Sequence, residues 1–340
     1  MIIDLRSDTI TKPTKGMLQA MQSAQVGDDV FGEDPTVKSL ESKLATMFGM
    51  ENGLFCPSGT MCNQIAIRIL TQPQDELICD ELSHIHLYEG GGIAYNSMVS
   101  TQLVKGDRGR ISADLVLQNI KADDIHFPST RLVTLENTVN KGGGSIYRLS
   151  EIASIAEVCK ANQLSMHLDG ARIFNALTAS GDTAKDYGQY FDTISVCLSK
   201  GLGAPVGSVL LSSQSNIRKA RRVRKVLGGA MRQSGYLAAA GIYALDHHVE
   251  RLTQDHHHAS QLANILSDLP WIESVLPAET NIVIFNLLDS LNKENVIERL
   301  SNENIRVVPF GPSSIRMVTH LEITDSMIDR VETVLRKLKF

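Results

Sequence analysis

Met166-His167-Leu168-Asp169-Gly170-Ala171-Arg172 and Ser195-Val196-Cys197-Leu198-Ser199-Lys200-Gly201-Leu202-Gly203 are the two stretches on which the fold turns. Each leads from a short apolar run into an ionisable side chain and then glycine. Residues 164–168 and 193–198 have the length and the Leu/Ile/Val content of buried strands. Asp169 and Lys200 therefore fall at strand ends, on the edge where ligands collect in parallel α/β sheets. Similar apolar runs at 53–56, 76–79, 132–135 and 208–211 alternate with segments that predict helices at 36–48, 61–70, 149–162 and 217–227. In the third helix Ile152, Ile155, Ala156 and Cys159 recur at three- and four-residue steps, giving one apolar face, with Ser150 as the expected cap. Strands separated by helices of this length need crossover connections. The expected fold class is α/β, with a mainly parallel sheet covered on both faces.

Working outward, a long helical stretch is expected over 235–269, then strands at 271–275, 281–287 and 315–318. Helices are expected near 293–302 and from about Asp325. This reads as a smaller C-terminal α+β unit joined near His247, so the expected division is 1–247 and 248–340. A chain of 340 residues is long enough for two domains and a large core. The net charge of −5 disfavours nucleic acid as the main partner, because that affinity rests on clustered positive charge. The apolar fraction of 43% is globular. The cysteines Cys56, Cys62, Cys79, Cys159 and Cys197 form no CxxC pair, so neither a disulfide framework nor a cysteine metal site is expected. The N-terminus has no signal-peptide pattern and no run reaches membrane-span length, so a cytoplasmic protein without membrane contact is expected. Glycines cluster at 90–92, 142–144, 201/203 and 228–229, marking places where backbone approaches something closely.

Cys56-Pro57-Ser58-Gly59-Thr60-Met61-Cys62-Asn63 enters an apolar helix through two hydroxyls and a glycine. Free backbone N–H groups and the positive helix end there make a phosphate seat, or a plain helix cap. The stretch lacks the GxxxxGK[ST] pattern, and Gly201, Gly203 and Gly207 miss the GxGxxG spacing. Asp169 is either a strand-end cap or a carboxylate able to hold a proton on a heterocyclic nitrogen. Lys200 is either structural or a partly desolvated amine with nucleophilic character. Phosphate seat, strand-end acid and strand-end lysine together make the set that pyridoxal 5'-phosphate requires.

The order of these elements resembles the aspartate-aminotransferase-like, fold-type I pyridoxal-phosphate enzymes. The finer motifs resemble the low-specificity L-threonine aldolases. They are Asp4-Leu5-Arg6-Ser7-Asp8-Thr9, Val26-Gly27-Asp28-Asp29-Val30, the Ser58-Gly59-Thr60 turn, Leu135-Glu136-Asn137-Thr138, His167 to Arg172, Leu198 to Gly203, Gly228-Gly229-Ala230-Met231-Arg232-Gln233 and Arg316-Met317-Val318-Thr319-His320. They span nearly the whole chain. The family usually places histidine where this chain has Val139.

The resemblance implies a homotetramer built from dimers that share active sites. It implies retro-aldol cleavage of a small β-hydroxy-α-amino acid, L-threonine or L-allo-threonine, to glycine and acetaldehyde. Lys200 would hold the cofactor and Asp169 its ring nitrogen. Ser58, Gly59 and Thr60 would seat the phosphate, with Lys225 and Arg232 nearby. His84 would stack on the ring, where a flat aromatic face suits a planar pyridine. Arg172 and Arg316, with Ser7, would grip the substrate carboxylate through directional guanidinium bonds. His84, His126 or a water they hold would take the β-hydroxyl proton. No metal is required by this chemistry. His86, one residue from facing like His84 if the segment is extended, is expected to be structural. The histidines 247–248 and 256–258 and the basic run 218–225 are expected to be solvated helix faces rather than a metal cluster or a nucleic-acid patch. Another fold-type I lyase or aminotransferase activity, or a cofactor-binding regulator, are the alternatives.

Overall fold

The structure is a computed structural model that describes residues 2–340. Its largest layer is a seven-stranded sheet: β1 (Asn52–Cys56), β2 (Asp75–Asp80), β3 (Ser100–Val104), β4 (Ser129–Glu136), β5 (Ser165–Gly170), β6 (Thr193–Cys197) and β7 (Ser208–Ser212). The order across it is β1-β7-β6-β5-β4-β2-β3. Only β7 runs against the rest, paired antiparallel to both β1 and β6. The expected α/β class with a mainly parallel sheet is the observed one.

Alternation along each strand feeds two cores. Phe55, Ile78, Val133, Leu168, Val209 and Leu211 face one side and pack with Leu40, Leu44 and Phe48 of the helix Pro35–Phe48. Their neighbours Leu54, Leu210, Leu77 and Leu132 face the other side, toward Cys62, Ile65, Ala66 and Ile67 of the helix Gly59–Leu70. Being covered on both faces, the strands read as continuous apolar runs.

The C-terminal part carries a four-stranded antiparallel sheet ordered Val308–Pro309, Ser314–Val318, Ile282–Leu287, Ile272–Val275, backed by the helices Leu252–Ser267 and Asp325–Lys337. Ile3 and Leu5 are buried in this second core. Ile3–Asp4 pairs parallel with Ile305–Arg306, and Val318 N–H donates to the Leu5 carbonyl. The expected 1–247 block therefore lends its first strand to the C-terminal unit.

Three expectations need correction. The edge strand β3 was missed because Ser-Thr-Gln supply half-exposed polar positions instead of an apolar run. The single helix over 235–269 is two, Gly235–His247 and Leu252–Ser267. The break is tertiary: His248 is buried and its Nδ1–H donates to the Leu202 carbonyl at 2.7 Å, beside the Lys200 loop. The helix Leu149–Ala161 is capped at Arg148, whose N–H donates to Glu151 Oε2 at 2.8 Å, so Ser150 lies inside the first turn.

The glycine triplet at 142–144 lies on the seam between the two parts. Arg108 bonds the Gly142 and Pro277 carbonyls and pairs with Glu279. Thr280 Oγ1–H donates to the Gly144 carbonyl at 3.0 Å. Gly144 has φ +73°, and a Cβ there would fall on Thr280 Oγ1, so both conformation and space demand glycine.

Candidate active site

The parallel strands β4, β5 and β6 deliver their carboxyl ends to one edge, and the side chains singled out from sequence gather there. Asp169 is the penultimate residue of β5 and is buried. Its Oδ2 accepts from Asn63 Nδ2 at 2.9 Å and its Oδ1 from the Ala171 N–H at 3.1 Å. Asn63, from the helix Gly59–Leu70, is itself clamped. Its Oδ1 accepts from Ser195 Oγ at 2.7 Å and from His167 Nε2 at 3.1 Å, while Thr193 Oγ1 bonds the other ring nitrogen of His167. Burial pushes the His167 imidazole down to about 4, so it stays neutral and holds one tautomer.

The second hydrogen of Asn63 Nδ2 goes to Glu89 Oε1 at 2.9 Å, and Gln64 Nε2 bonds Glu89 Oε2 at 2.6 Å. The Glu89 side chain is fully buried and accepts from His84 Nδ1 at 3.0 Å. His84 thereby presents Nε2 outward. Burial lowers its pKa, but the Glu89 hydrogen bond and the Asp169 and Glu136 charges outweigh that and raise it. Donor atoms of His84, Glu89 and Asp169 lie within 4.8 Å of one another. The Asn63 amide donating to both carboxylates accounts for their closeness through hydrogen bonds alone. Glu136 ends β4 and accepts the N–H groups of His84 (2.8 Å) and Asn140 (2.9 Å). Burial and the Asp169 charge raise its carboxyl to about 7.

On the other flank Arg172 and Asp8 form a buried, two-pronged pair, Nε and Nη2 each 2.7 Å from a carboxylate oxygen. Burial alone would raise the Asp8 carboxyl; the charges of Arg172 and Lys200 hold it at about 2. Arg172 was expected to grip the substrate carboxylate together with Arg316 and Ser7; two of its nitrogens are committed to Asp8. Arg316 donates Nη1 to Asn140 Oδ1 at 2.8 Å and Nη2 to the Arg6 carbonyl at 3.1 Å, while its buried Nε has no partner. Burial and the Arg172 charge lower Arg316 to about 10. A chain of hydrogen bonds thus runs from Arg316 through Asn140 and Glu136 to His84. Lys200 is half-buried after β6 and feels Asp8. Ser7 caps the short turn Asp8–Ile10, accepting from Thr9 N–H at 3.2 Å.

Ser58 caps the helix Gly59–Leu70 by accepting from Met61 N–H at 3.2 Å. The N–H groups of Gly59 and Thr60 in that first turn have no acceptor within the helix. The buried Ser208 Oγ lacks a partner and lies 3.5 Å from where a Gly59 Cβ would stand. The loop bearing Gly229 passes directly over Met61. Lys225 is exposed, and Arg232 pairs with Asp28 at 2.8 Å while remaining largely open.

Other placements differ from expectation. His126 lies on an exposed turn, its side chain 78% open, and pairs with Asp124; the single chain does not bring it to the cluster. His86 sits in a helical turn, His84–Leu87, and not in extended chain, and it is exposed. Among the expected solvated histidines, His248 and His258 are buried, the latter bonded to Asp325 at 2.7 Å. The basic run is not wholly solvated: Arg224 is buried, pairing with Asp29 at 2.8 Å and donating to the Phe55 carbonyl. Sequence reasoning missed Glu89, Asn63 and Gln64, and it gave no role to Asp8. The available signal was that all four sit inside motifs already quoted or immediately beside them.

A family model described as beta-eliminating lyase matches residues 4–290. The chain belongs to that family. Within it, the low specificity L-threonine aldolase of Escherichia coli (strain K12) is 40% identical over 331 residues, covering 97% of each chain. The Saccharomyces cerevisiae low specificity L-threonine aldolase is 38% identical over 338 residues, covering 97% of this chain and 84% of its own. A solved threonine aldolase from Leishmania major superposes with a TM-score of 0.85 at 21% identity, over 98% of this chain and 99% of its own. That likeness extends the same fold over both the large sheet and the C-terminal unit.

Proposed function

We propose that this chain is a pyridoxal-phosphate-dependent aldolase that splits L-threonine or L-allo-threonine into glycine and acetaldehyde. The observation that carries the proposal is the gathering of Lys200, Asp169, outward-facing His84 and an Arg316 with an unpaired buried Nε at one sheet edge. The residues fit the cofactor. Gly59, Thr60 and the orphaned Ser208 Oγ offer donors for a phosphate, Asp169 suits a protonated ring nitrogen, and Lys200 supplies the tethering amine. When bound, pyridoxal phosphate supplies an electron sink for the pair released as Cα–Cβ breaks.

Arg316, with the free Nη1 of Arg172 and Ser7, orients the substrate carboxylate and so decides which Cα bond is labile. Asp8 keeps Arg172 in place. His84 Nε2, unprotonated while Nδ1–H donates to Glu89, accepts the β-hydroxyl proton. His126 would need to reach the cluster from outside the single-chain arrangement, so the proton is assigned to His84.

The units 1–247 and 248–340 meet over this site, Arg316 coming from the second. We also propose a homotetramer made of dimers. Phe31, in the turn that Asp28 caps, and Val226, next to Lys225, are 75% and 86% exposed and offer apolar cover for a second copy. The five unpaired, buried cysteines suit a reducing cytoplasm. One test is optical. Lys200→Ala should lose the visible, borohydride-reducible absorbance of bound cofactor, and a band that persists would remove Lys200 from its role. The family description favours one rival, β-elimination, which from threonine would release 2-oxobutanoate and ammonia in place of an aldehyde.

A further inference from the structure

Lys141 follows Asn140, the residue that receives Arg316, and carries the one ammonium in the site region that the substrate chemistry above leaves without work. It is half-buried and has no carboxylate within ion-pairing distance among the described residues. Its Nζ instead stands between two rings, 4.4 Å from the centre of Phe310 and 6.0 Å from the centre of Tyr88. Each ring also touches a group of the proposed substrate site. Phe310 lies under the Arg316 guanidinium at 4.8 Å, and Tyr88 tilts against His84 at 5.6 Å. Lys141 therefore spans the gap between the carboxylate grip and the imidazole that faces the β-hydroxyl. With the carboxylate on Arg316 and the β-hydroxyl toward His84, as proposed above, the substituent on the β-carbon would project into that gap.

The charge balance there is lopsided. The cations Arg172 and Arg316 are opposed on that flank by Asp8, which is spent on Arg172, and by buried Glu136, which accepts the His84 and Asn140 N–H groups; neither carboxylate pairs with Lys141. A single substrate carboxylate on Arg316 leaves Lys141 unanswered. Two cations resting on one aromatic ring, without an anion between them, repel each other, and the ring's quadrupole offsets that only modestly. A second carboxylate relieves it. The carboxylate carbons of a four-carbon amino diacid stand about 4 Å apart in the extended form on ordinary bond lengths, with their outer oxygens farther apart, a span suited to two cations that share one ring.

We propose that Lys141, framed by Tyr88 and Phe310, is a subsite for an anionic group on the β-carbon, so that the chain also cleaves β-hydroxy-α-amino diacids. This rests on the aldolase reading above. For 3-hydroxyaspartate the step balances without any added reactant. The Cα–Cβ bond breaks, the β-hydroxyl proton passes to His84, and Cβ becomes the aldehyde carbon of glyoxylate. Cα takes a proton and leaves as glycine.

The test compares 3-hydroxyaspartate with L-threonine in the wild-type holoenzyme, Lys141→Met and Lys141→Arg. The ratio of kcat/KM for the diacid over threonine should fall about ten-fold or more in Lys141→Met, the usual scale for losing a charge-assisted bond, and should largely return in Lys141→Arg. Calorimetry gives a readout free of turnover: wild type should bind succinate more tightly than butyrate, and Lys141→Met should erase the difference. Threonine cleavage with an unchanged ratio in Lys141→Met, or equal succinate binding in both proteins, would overturn the subsite while leaving the aldolase reading intact. Absence of aldehyde from either substrate, with the succinate preference present and lost in Lys141→Met, would overturn the aldolase reading and retain the anion subsite.

Discussion

Asp8 and Arg172 bury a full ion pair at the floor of the site, and burial makes each depend on the other. Asp8→Asn would leave a guanidinium in a dry environment with one formal partner lost, so a destabilisation of about 3–5 kcal/mol is expected by urea unfolding, with a raised KM. A change under 1 kcal/mol would show that the pair contributes little. The Asp8 carboxyl is depressed to about 2 in the folded chain. Its contribution is therefore present above the ordinary carboxylate value and lost only as pH falls toward 2. His84 has the opposite sign. Its raised pKa adds stability that is complete below the ordinary imidazole value and disappears as pH rises through the folded value. On the proposed role of His84 the reaction needs the unprotonated Nε2, so activity should rise through that same value. Glu89→Gln removes the carboxylate that raises it, and should move the acid limb of the kcat/KM profile down by about one pH unit. An unmoved limb would separate Glu89 from the proton acceptor. Of this layer, Asp169 and Lys200 were singled out because each ends or follows an apolar strand run, whereas His84 and Arg316 came only from the family resemblance. Glu89, Asn63 and Gln64 were opaque because their role is a hydrogen-bond geometry across three elements.

Among the elements, Asp34 shows how one side chain can fix several starts at once. Its Oδ1 accepts from Thr36 N–H and Val37 N–H, capping the helix Pro35–Phe48. Its Oδ2 accepts from Gly27 N–H and from Gly235 N–H at the start of the helix Gly235–His247. Asp34 is buried, so Asp34→Ala strands several donors at once, and a loss of roughly 2–4 kcal/mol is expected, beyond the ~1 kcal/mol of an ordinary cap. Chemical denaturation measures it, and a loss below ~1 kcal/mol would mean water replaces the cap fully. Six strands of the large sheet were readable to within a few residues because two-sided burial writes them as apolar runs. The edge strand β3 was not, because its Ser-Thr-Gln positions are partly exposed and write no apolar run. Nor was the helix break before Leu252, where the buried His248 contact acts and no glycine or proline marks the spot.

At the scale of the molecule, the first residues tie the two parts together. Ile3–Asp4 adds a strand beside Ile305–Arg306, Leu5 lies in the C-terminal core, and Ser7 and Asp8 then enter the site. Removing residues 1–6 should lower Tm by several degrees, on the scale of two lost buried aliphatic side chains, and raise KM. Thermal melts and threonine kinetics would show it; intact values of both would detach the segment from the site. This topological loan was hidden in the sequence, because a two-residue strand carries no periodicity. That a separate C-terminal sheet follows the large one was visible from the change of pattern along the chain. All of it converges on the chemistry. The most direct measurement is product analysis: incubate the holoenzyme with L-threonine and with L-allo-threonine, and quantify acetaldehyde and glycine. Equimolar acetaldehyde and glycine, abolished in Lys200→Ala, are predicted. Ammonia with a keto acid and no aldehyde, or undiminished aldehyde in Lys200→Ala, would contradict the account.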